Sequence, residues 1–379
     1  MQRTSRMTSW RSTRIYESGA GNALRPASPA MTSPNNNRLQ IDTLRGLACL
    51  LLVLYHVVGD SAGAGLKLPA EHGLSVFNHL VAFGRMPLFA CIAGFVYALR
   101  PLQREVAQFI GSKMRRLLLP LFFVGSAFGL LRARMSGVTI DADFLLRMHL
   151  TSIDQFWFLK ALFWIFLVIV ALERAGALRR PEGFAGVLAA SALWFVFWDS
   201  PDTFAISGAV YLLPYFLVGL AIRRFALDGR GSLAVAGCAL LVAAALSWSV
   251  FGQPENRVTI AAKLFWGCGL GFLLIRSRIR SEWLAWIGRE SFAVYLFHVF
   301  FTAATASALL AMGVRDVGVL LVAGLLMGVG MPMIAARIIR RSWLLDLLLL
   351  GEKAPAVQWP WRKAQLIRVE SSDRGSRNP

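Results

Sequence analysis

The chain has 379 residues, 56% of them hydrophobic, with 12 tryptophans and a mean hydropathy of +0.56. Apolar runs this long and numerous exclude an ordinary soluble globular protein and imply an all-α, polytopic membrane protein. The formal charge of +19 does not indicate a nucleic-acid partner, because the basic residues alternate with the apolar runs instead of gathering in one patch.

Windows of about 20 residues predict ten transmembrane helices, near 41–59, 75–99, 117–131, 155–172, 183–198, 205–222, 232–251, 258–275, 290–312 and 317–336. With a cytoplasmic N-terminus, thirty of the forty Lys and Arg residues fall on the inside and six outside. The remaining four, Arg45, Arg85, Lys160 and Lys263, lie within spans. That bias, repeated from loop to loop, predicts two cytoplasmic ends. Residues 1–38 read as a basic, disordered cytoplasmic tail without a secretory signal, with Met31 as an alternative start. Residues 39–345 form the membrane domain, and 346–379 a polar cytoplasmic tail. Cys49, Cys91, Cys238 and Cys268 all fall in apolar spans at no ligand spacing, so neither a disulfide nor a metal site is expected.

The first span carries Arg45 and His56 eleven residues apart. Three helical turns place them on one stripe, about 16 Å apart along the axis. Ionisable groups on one stripe of a membrane helix point to function. Asp42 lies three residues before Arg45, and Asp60 four after His56, so each carboxylate can reach its neighbour. A carboxylate beside an imidazole orients a general base. The second span contains His79, near the outer surface, and then Arg85 in a stretch interrupted by Gly84, Pro87 and Gly94. Such a break predicts a polar cavity facing Arg85.

A cytoplasmic loop then ends in Lys113, Arg115 and Arg116, with Pro120 early in the third span. The cluster is either a positive-inside stop or a cradle for phosphates. Asp154-Gln155-Phe156-Trp157 opens the fourth span, followed by Lys160. Ser291, Tyr295 and His298 share one face of the ninth. Both stretches could line a cavity or join helices.

Four stretches, in order, resemble the acyltransferase 3 family of integral membrane acyltransferases. They are Asp42-x-x-Arg45-Gly46 with His56, Met86-Pro-Leu-Phe with Gly94-Phe95, Lys113-x-x-Arg116 before Pro120, and Trp157-Phe-Leu with Tyr295-Leu-Phe-His298. The resemblance covers about residues 38–340. It implies about ten helices in a bacterial inner membrane, an acyl-CoA donor reached from the cytoplasm, most simply acetyl-CoA, and a hydroxyl acceptor on an outer glycan or lipid-linked sugar. The family's Arg and His pair maps onto Arg45 and His56, and its basic cluster onto Lys113 and Arg116.

On this reading Arg45, Lys113, Arg115 and Arg116 bind the coenzyme phosphates. His56, oriented by Asp60, serves as general base or relays the acyl group, and Arg85 stabilises the developing oxyanion. His79, Gln155, Trp157, Lys160, Tyr295 and His298 are candidate acceptor-binding residues. The chain departs from the family at Ala93, where a serine is usual, and at Ala90, where a phenylalanine is. The extra extracytoplasmic domain of many relatives is not expected here. The competing function is a secondary transporter of an organic anion or sugar, which also uses broken helices and intramembrane charges. Uptake without acyl-CoA would favour it.

Overall fold

The computed structural model describes residues 34–59, 65–69, 71–99, 105–151, 154–227, 229–249 and 256–352. Among them every regular element is helical. In chain order these are α1 (Pro34–Val58), α2 (Gly73–Leu99), α3 (Val106–Lys113), α4 (Ser126–Met135), α5 (Ala142–Leu150), α6 (Trp157–Arg174) and α7 (Pro181–Phe197). Then follow α8 (Ile206–Arg224), α9 (Arg230–Ser249), α10 (Arg257–Arg276), α11 (Glu282–Arg289), α12 (Ser291–Ala311), α13 (Val317–Ile339) and α14 (Trp343–Leu345). Each predicted span falls on a helix, but eight are long and apolar enough to cross a membrane. The apolar helices Pro181–Phe197 and Gly231–Ser247 are shorter than the rest.

Two sequence expectations change. The helix predicted over 117–131 extends from Val106 to Met135, so Lys113, Arg115 and Arg116 sit on a helix, not in a loop. Its middle opens into two wide π-type turns, Met114–Leu118 and Leu121–Gly125, on either side of Pro120. Proline has no N–H to donate and its ring crowds the preceding turn, and widening the turns lets the helix continue through it. The second change concerns α2, which is unbroken despite Gly84, Pro87 and Gly94. Its interrupting residues are packing sites. A Cβ on Gly94 would lie 1.9 Å from the Phe216 carbonyl of α8, and one on Gly219 would lie 1.9 Å from the Cys91 carbonyl. Pro87 fits against Gly267 of α10, where a Cβ would meet its ring at 2.8 Å.

Close backbone approach also fixes α11 to α1. A Cβ on Gly46 would stand 1.9 Å from the Leu284 carbonyl, and one on Gly288 would stand 1.8 Å from that of Asp42. Small residues at such crossings let membrane helices gain van der Waals contact without a hydrophobic driving force. Thr43 adds hydrogen bonds to the backbone of Ser281. At the other end of α1, the buried Asn78 of α2 donates to the Gly59 carbonyl at 2.8 Å, satisfying a helix end that would otherwise lack a partner. The α1 helix is thereby held at both ends, with His56 one turn from the capped one.

Candidate active site

His56 and Arg85 come together at a cavity of about 200 Å³, lined also by Leu52, Tyr55, Met86, Asp154, Gln155, Trp157 and Tyr295. Each wall has a local cause. Arg85 lies with its guanidinium carbon 3.5 Å above the Tyr55 ring, a cation–π contact that holds the charge at the cavity edge. Trp157 packs against Gly208, where a Cβ would meet the indole at 2.5 Å. The buried Tyr295 donates its hydroxyl to the Gln155 carbonyl, joining the heads of α12 and α6. Asp154 has a left-handed backbone (φ 35°) and pairs with Arg132 of α4. That leaves Gln155 buried beside the cavity.

Unsatisfied polar atoms concentrate here. Among the described residues, His56 Nε2, Arg85 Nε, both amide atoms of Gln155 and His298 Nε2 are buried without a hydrogen-bond partner. Buried polar groups are nearly always paired, and four of these five orphans, all but His298 Nε2, belong to residues that line the cavity, the pattern of a site for a polar ligand. The volume admits a small group of a few heavy atoms.

His298 is fully buried behind the cavity, its ring centroid 4.9 Å from that of His56. Asp60, the partner expected for His56 from sequence, lies outside the described residues. The other candidates are dispersed. His79 is exposed and does not line the cavity. Lys160 is buried, and its ammonium donates to the carbonyls of His149, at 2.8 Å, and Thr151. Lys160 therefore ties α5 to α6 and does not border the cavity.

The basic residues form a second group. Asp42 sits 3.5 Å from the Arg45 guanidinium. Arg116 lies within electrostatic reach of both Arg45 and Lys113. Lys113 rests 3.9 Å from the Phe166 ring centre. Arg115 donates to the Gly351 carbonyl at 3.2 Å, and Arg116 pairs with Glu352 at 3.1 Å, so the end of the described chain covers part of the cluster. Between Arg45 and His56, Ala48, Cys49 and Leu52 are fully buried.

Sequence reasoning missed Tyr55, Asn78 and Gly208. Tyr55 adjoins His56, but neighbours on a helix point about 100° apart, so nothing in the spacing joins it to Arg85. Asn78 was one polar residue in a span start; its partners are carbonyls 19 and 23 residues away.

On the far side of the α4–α6 connection, His149 stacks on Phe122 and its Nε2 lies 3.1 Å from Ser126 Oγ. Partial burial, with the Lys160 ammonium nearby, holds the His149 pKa below its ordinary value. The undocked imidazole therefore binds a proton more readily than the docked one, so docking of α5 weakens as pH falls through the ordinary imidazole range, near 6.5. Protection factors over 142–150, with the pH dependence of intrinsic amide exchange divided out, should be lower at pH 5.5 than at pH 7.5, and this difference should vanish in His149→Phe.

The acyltransferase 3 family model, described as an acyltransferase domain, matches residues 38–337. The nodulation protein NolL of Mesorhizobium japonicum (strain LMG 29417 / CECT 9101 / MAFF 303099) is 27% identical over 210 residues, covering 54% of this chain and 52% of NolL. The chain thus spans about half the length of the curated relative it matches. No solved structure matches it. The family match extends from before Arg45 to beyond His298 and takes in every residue at the cavity, so the chain belongs to the acyltransferase 3 family.

Proposed function

We propose that the protein is a ten-helix acyltransferase of the bacterial inner membrane. It moves an acyl group, most simply acetyl, from cytoplasmic acyl-CoA to a hydroxyl of an outer carbohydrate or lipid-linked sugar. The observation that carries the reading is the cluster of unpartnered polar atoms from His56, Arg85 and Gln155 lining one small cavity, inside a chain of this family. The thirty-to-six distribution of basic residues supports cytoplasmic ends, with the eight long apolar helices joined by α7 and α9 in crossing the bilayer.

The residues divide the work. Arg45, Lys113 and Arg116 are placed to bind phosphates at the cytoplasmic face, where guanidinium groups pair bidentately with phosphate oxygens. The roughly 16 Å from Arg45 to His56 is a length that an extended pantetheine arm spans. His56 takes the proton of the acceptor hydroxyl as its oxygen attacks the thioester carbonyl, and the proton then passes to the departing thiolate. Arg85 faces the charge that develops on the carbonyl oxygen. Gln155 offers a donor and an acceptor to the acceptor's hydroxyl groups, and Trp157 offers a flat face. Along α1 between the two groups, Cys49 and Leu52 are fully buried, so the arm would have to pass or move them.

Purified protein in lipid vesicles, given acetyl-CoA labelled in the acetyl group, is the test. Hydrolysis or label transfer by the parent, with weaker donor binding in Arg45→Ala, supports the reading. A folded sample that binds neither acetyl-CoA nor longer acyl-CoAs rejects it. Glu352 provides an internal check, because its carboxylate occupies a guanidinium assigned to the donor. Glu352→Gln should tighten donor binding by about 2- to 5-fold, the scale of a single exposed ion pair, as read by equilibrium binding of labelled coenzyme.

A further inference from the structure

His298 stands in the second half of the membrane domain, 242 residues after His56, yet the two rings meet at 4.9 Å between centroids and are tilted by 55°. Its Nδ1 lies 2.9 Å from the Val294 carbonyl and 3.0 Å from the Tyr295 carbonyl. A carbonyl oxygen only accepts, so Nδ1 carries the proton and Nε2 of the neutral ring is a bare lone pair. That Nε2 is buried and, among the described residues, unpartnered, as is His56 Nε2. A buried acceptor without a donor and a buried nitrogen without a partner each carry a desolvation cost that pairing removes.

We propose that His298 is a positioning residue for His56. It accepts a hydrogen bond from His56 Nε2–H, reached by a modest rotation of the His56 ring, and so fixes His56 as the tautomer whose bare nitrogen is Nδ1. The inference rests on the acyltransferase reading and adds the atom that performs the chemistry. When the acceptor hydroxyl loses its proton to His56 Nδ1, the imidazolium keeps its Nε2–H on His298, which spreads the new charge. The proton on Nδ1 then returns to the leaving thiolate, and the pair is restored. His298 has no exposed surface and is absent from the cavity lining, so it acts through His56. The sequence offered it as a candidate acceptor-binding residue; in this proposal it positions His56 instead.

Among the described residues, the charged and titratable groups around the pair are Arg85, Tyr55 and Asp154, with Tyr295 on the element of His298. Asp60 is the rival orienting group on sequence grounds.

The test uses the full chain in lipid nanodiscs and two readouts. First, nitrogen NMR of histidine-labelled protein, which has five histidines, should show His298 with Nδ1 protonated and Nε2 bare, and His56 with Nε2 protonated. In His298→Phe the His56 signals should lose that single tautomer. This readout needs no acyl transfer, so a failure of the acyltransferase reading leaves it informative. Second, His298→Phe should lower kcat for transfer on the order of 10²-fold, with KM for acetyl-CoA unchanged. His298→Gln, whose amide oxygen can stand where Nε2 stood, should recover part of that loss. Parent-level kcat in His298→Phe overturns the proposal. So does a His56 ring protonated on Nδ1, or a tautomer that changes in Asp60→Asn and not in His298→Phe. Equal loss in His298→Phe and His298→Gln would make His298 a packing residue and also overturn it.

Discussion

Replacing His56 with alanine is expected to lower acyl transfer by about 10²- to 10⁴-fold, the range that a positioned general base supplies. The protein should still insert and fold. His56 is partly exposed to the cavity, and what the change removes is its ring contacts with Tyr55 and His298, not a helix crossing. Transfer from labelled acetyl-CoA, measured beside thermal unfolding of the purified variant, separates the two effects. Unchanged transfer would remove His56 from the mechanism. Donor binding should persist, because Arg45 lies about three turns from His56 along α1 and Arg116 lies within electrostatic reach of Arg45.

The second large effect concerns stability. Gly94→Ala should destabilise the bundle by at least about 1–3 kcal/mol, the usual cost of overpacking. The new Cβ would lie 1.9 Å from a backbone oxygen of α8, and no flexible side chain is there to yield. Relief requires α2 and α8 to separate, which would pull Arg85 and Pro87 from their seats. Gly330→Ala is the matched control, since nothing lies within 4 Å of that added Cβ. It should be neutral or stabilise by a few tenths of a kcal/mol up to about 1 kcal/mol, because alanine narrows the unfolded ensemble and favours helix. Thermal unfolding of both variants in one detergent tests the pair. An unchanged midpoint for Gly94→Ala would contradict the observed crossing. Gly46→Ala should resemble Gly94→Ala, because its Cβ would strike the Leu284 carbonyl of α11.

These two predictions draw on different levels of information. His56 and Arg45 were legible because an ionisable residue in an apolar run stands out whatever the fold, and helical spacing alone aligns them. Arg85 was legible for the same reason. Gly94 was visible as a glycine, but sequence reasoning took it as a helix break. Whether a glycine in an apolar segment interrupts the helix or admits a neighbouring backbone depends on what lies opposite, and α8 begins more than a hundred residues later. Lys160 was legible as a charge inside a span, but the sequence left open whether it lines a cavity or joins helices. A lysine inside a span looks functional, but its charge is satisfied by the His149 and Thr151 carbonyls at the chain reversal before α6.

Apolar run length, by itself, determined that the chain is helical and embedded in a membrane, because lipid leaves backbone groups no partner but each other. The ordered motifs determined which family it resembles. Tertiary structure alone decided that Tyr295 and Gln155 close one wall of the cavity, that Arg115 and Arg116 hold Gly351 and Glu352, and that His298 backs His56. Those contacts join residues 140 to 242 positions apart, and local periodicity reaches only three or four residues along a helix. Which pairs meet is settled by where the small residues allow helices to cross.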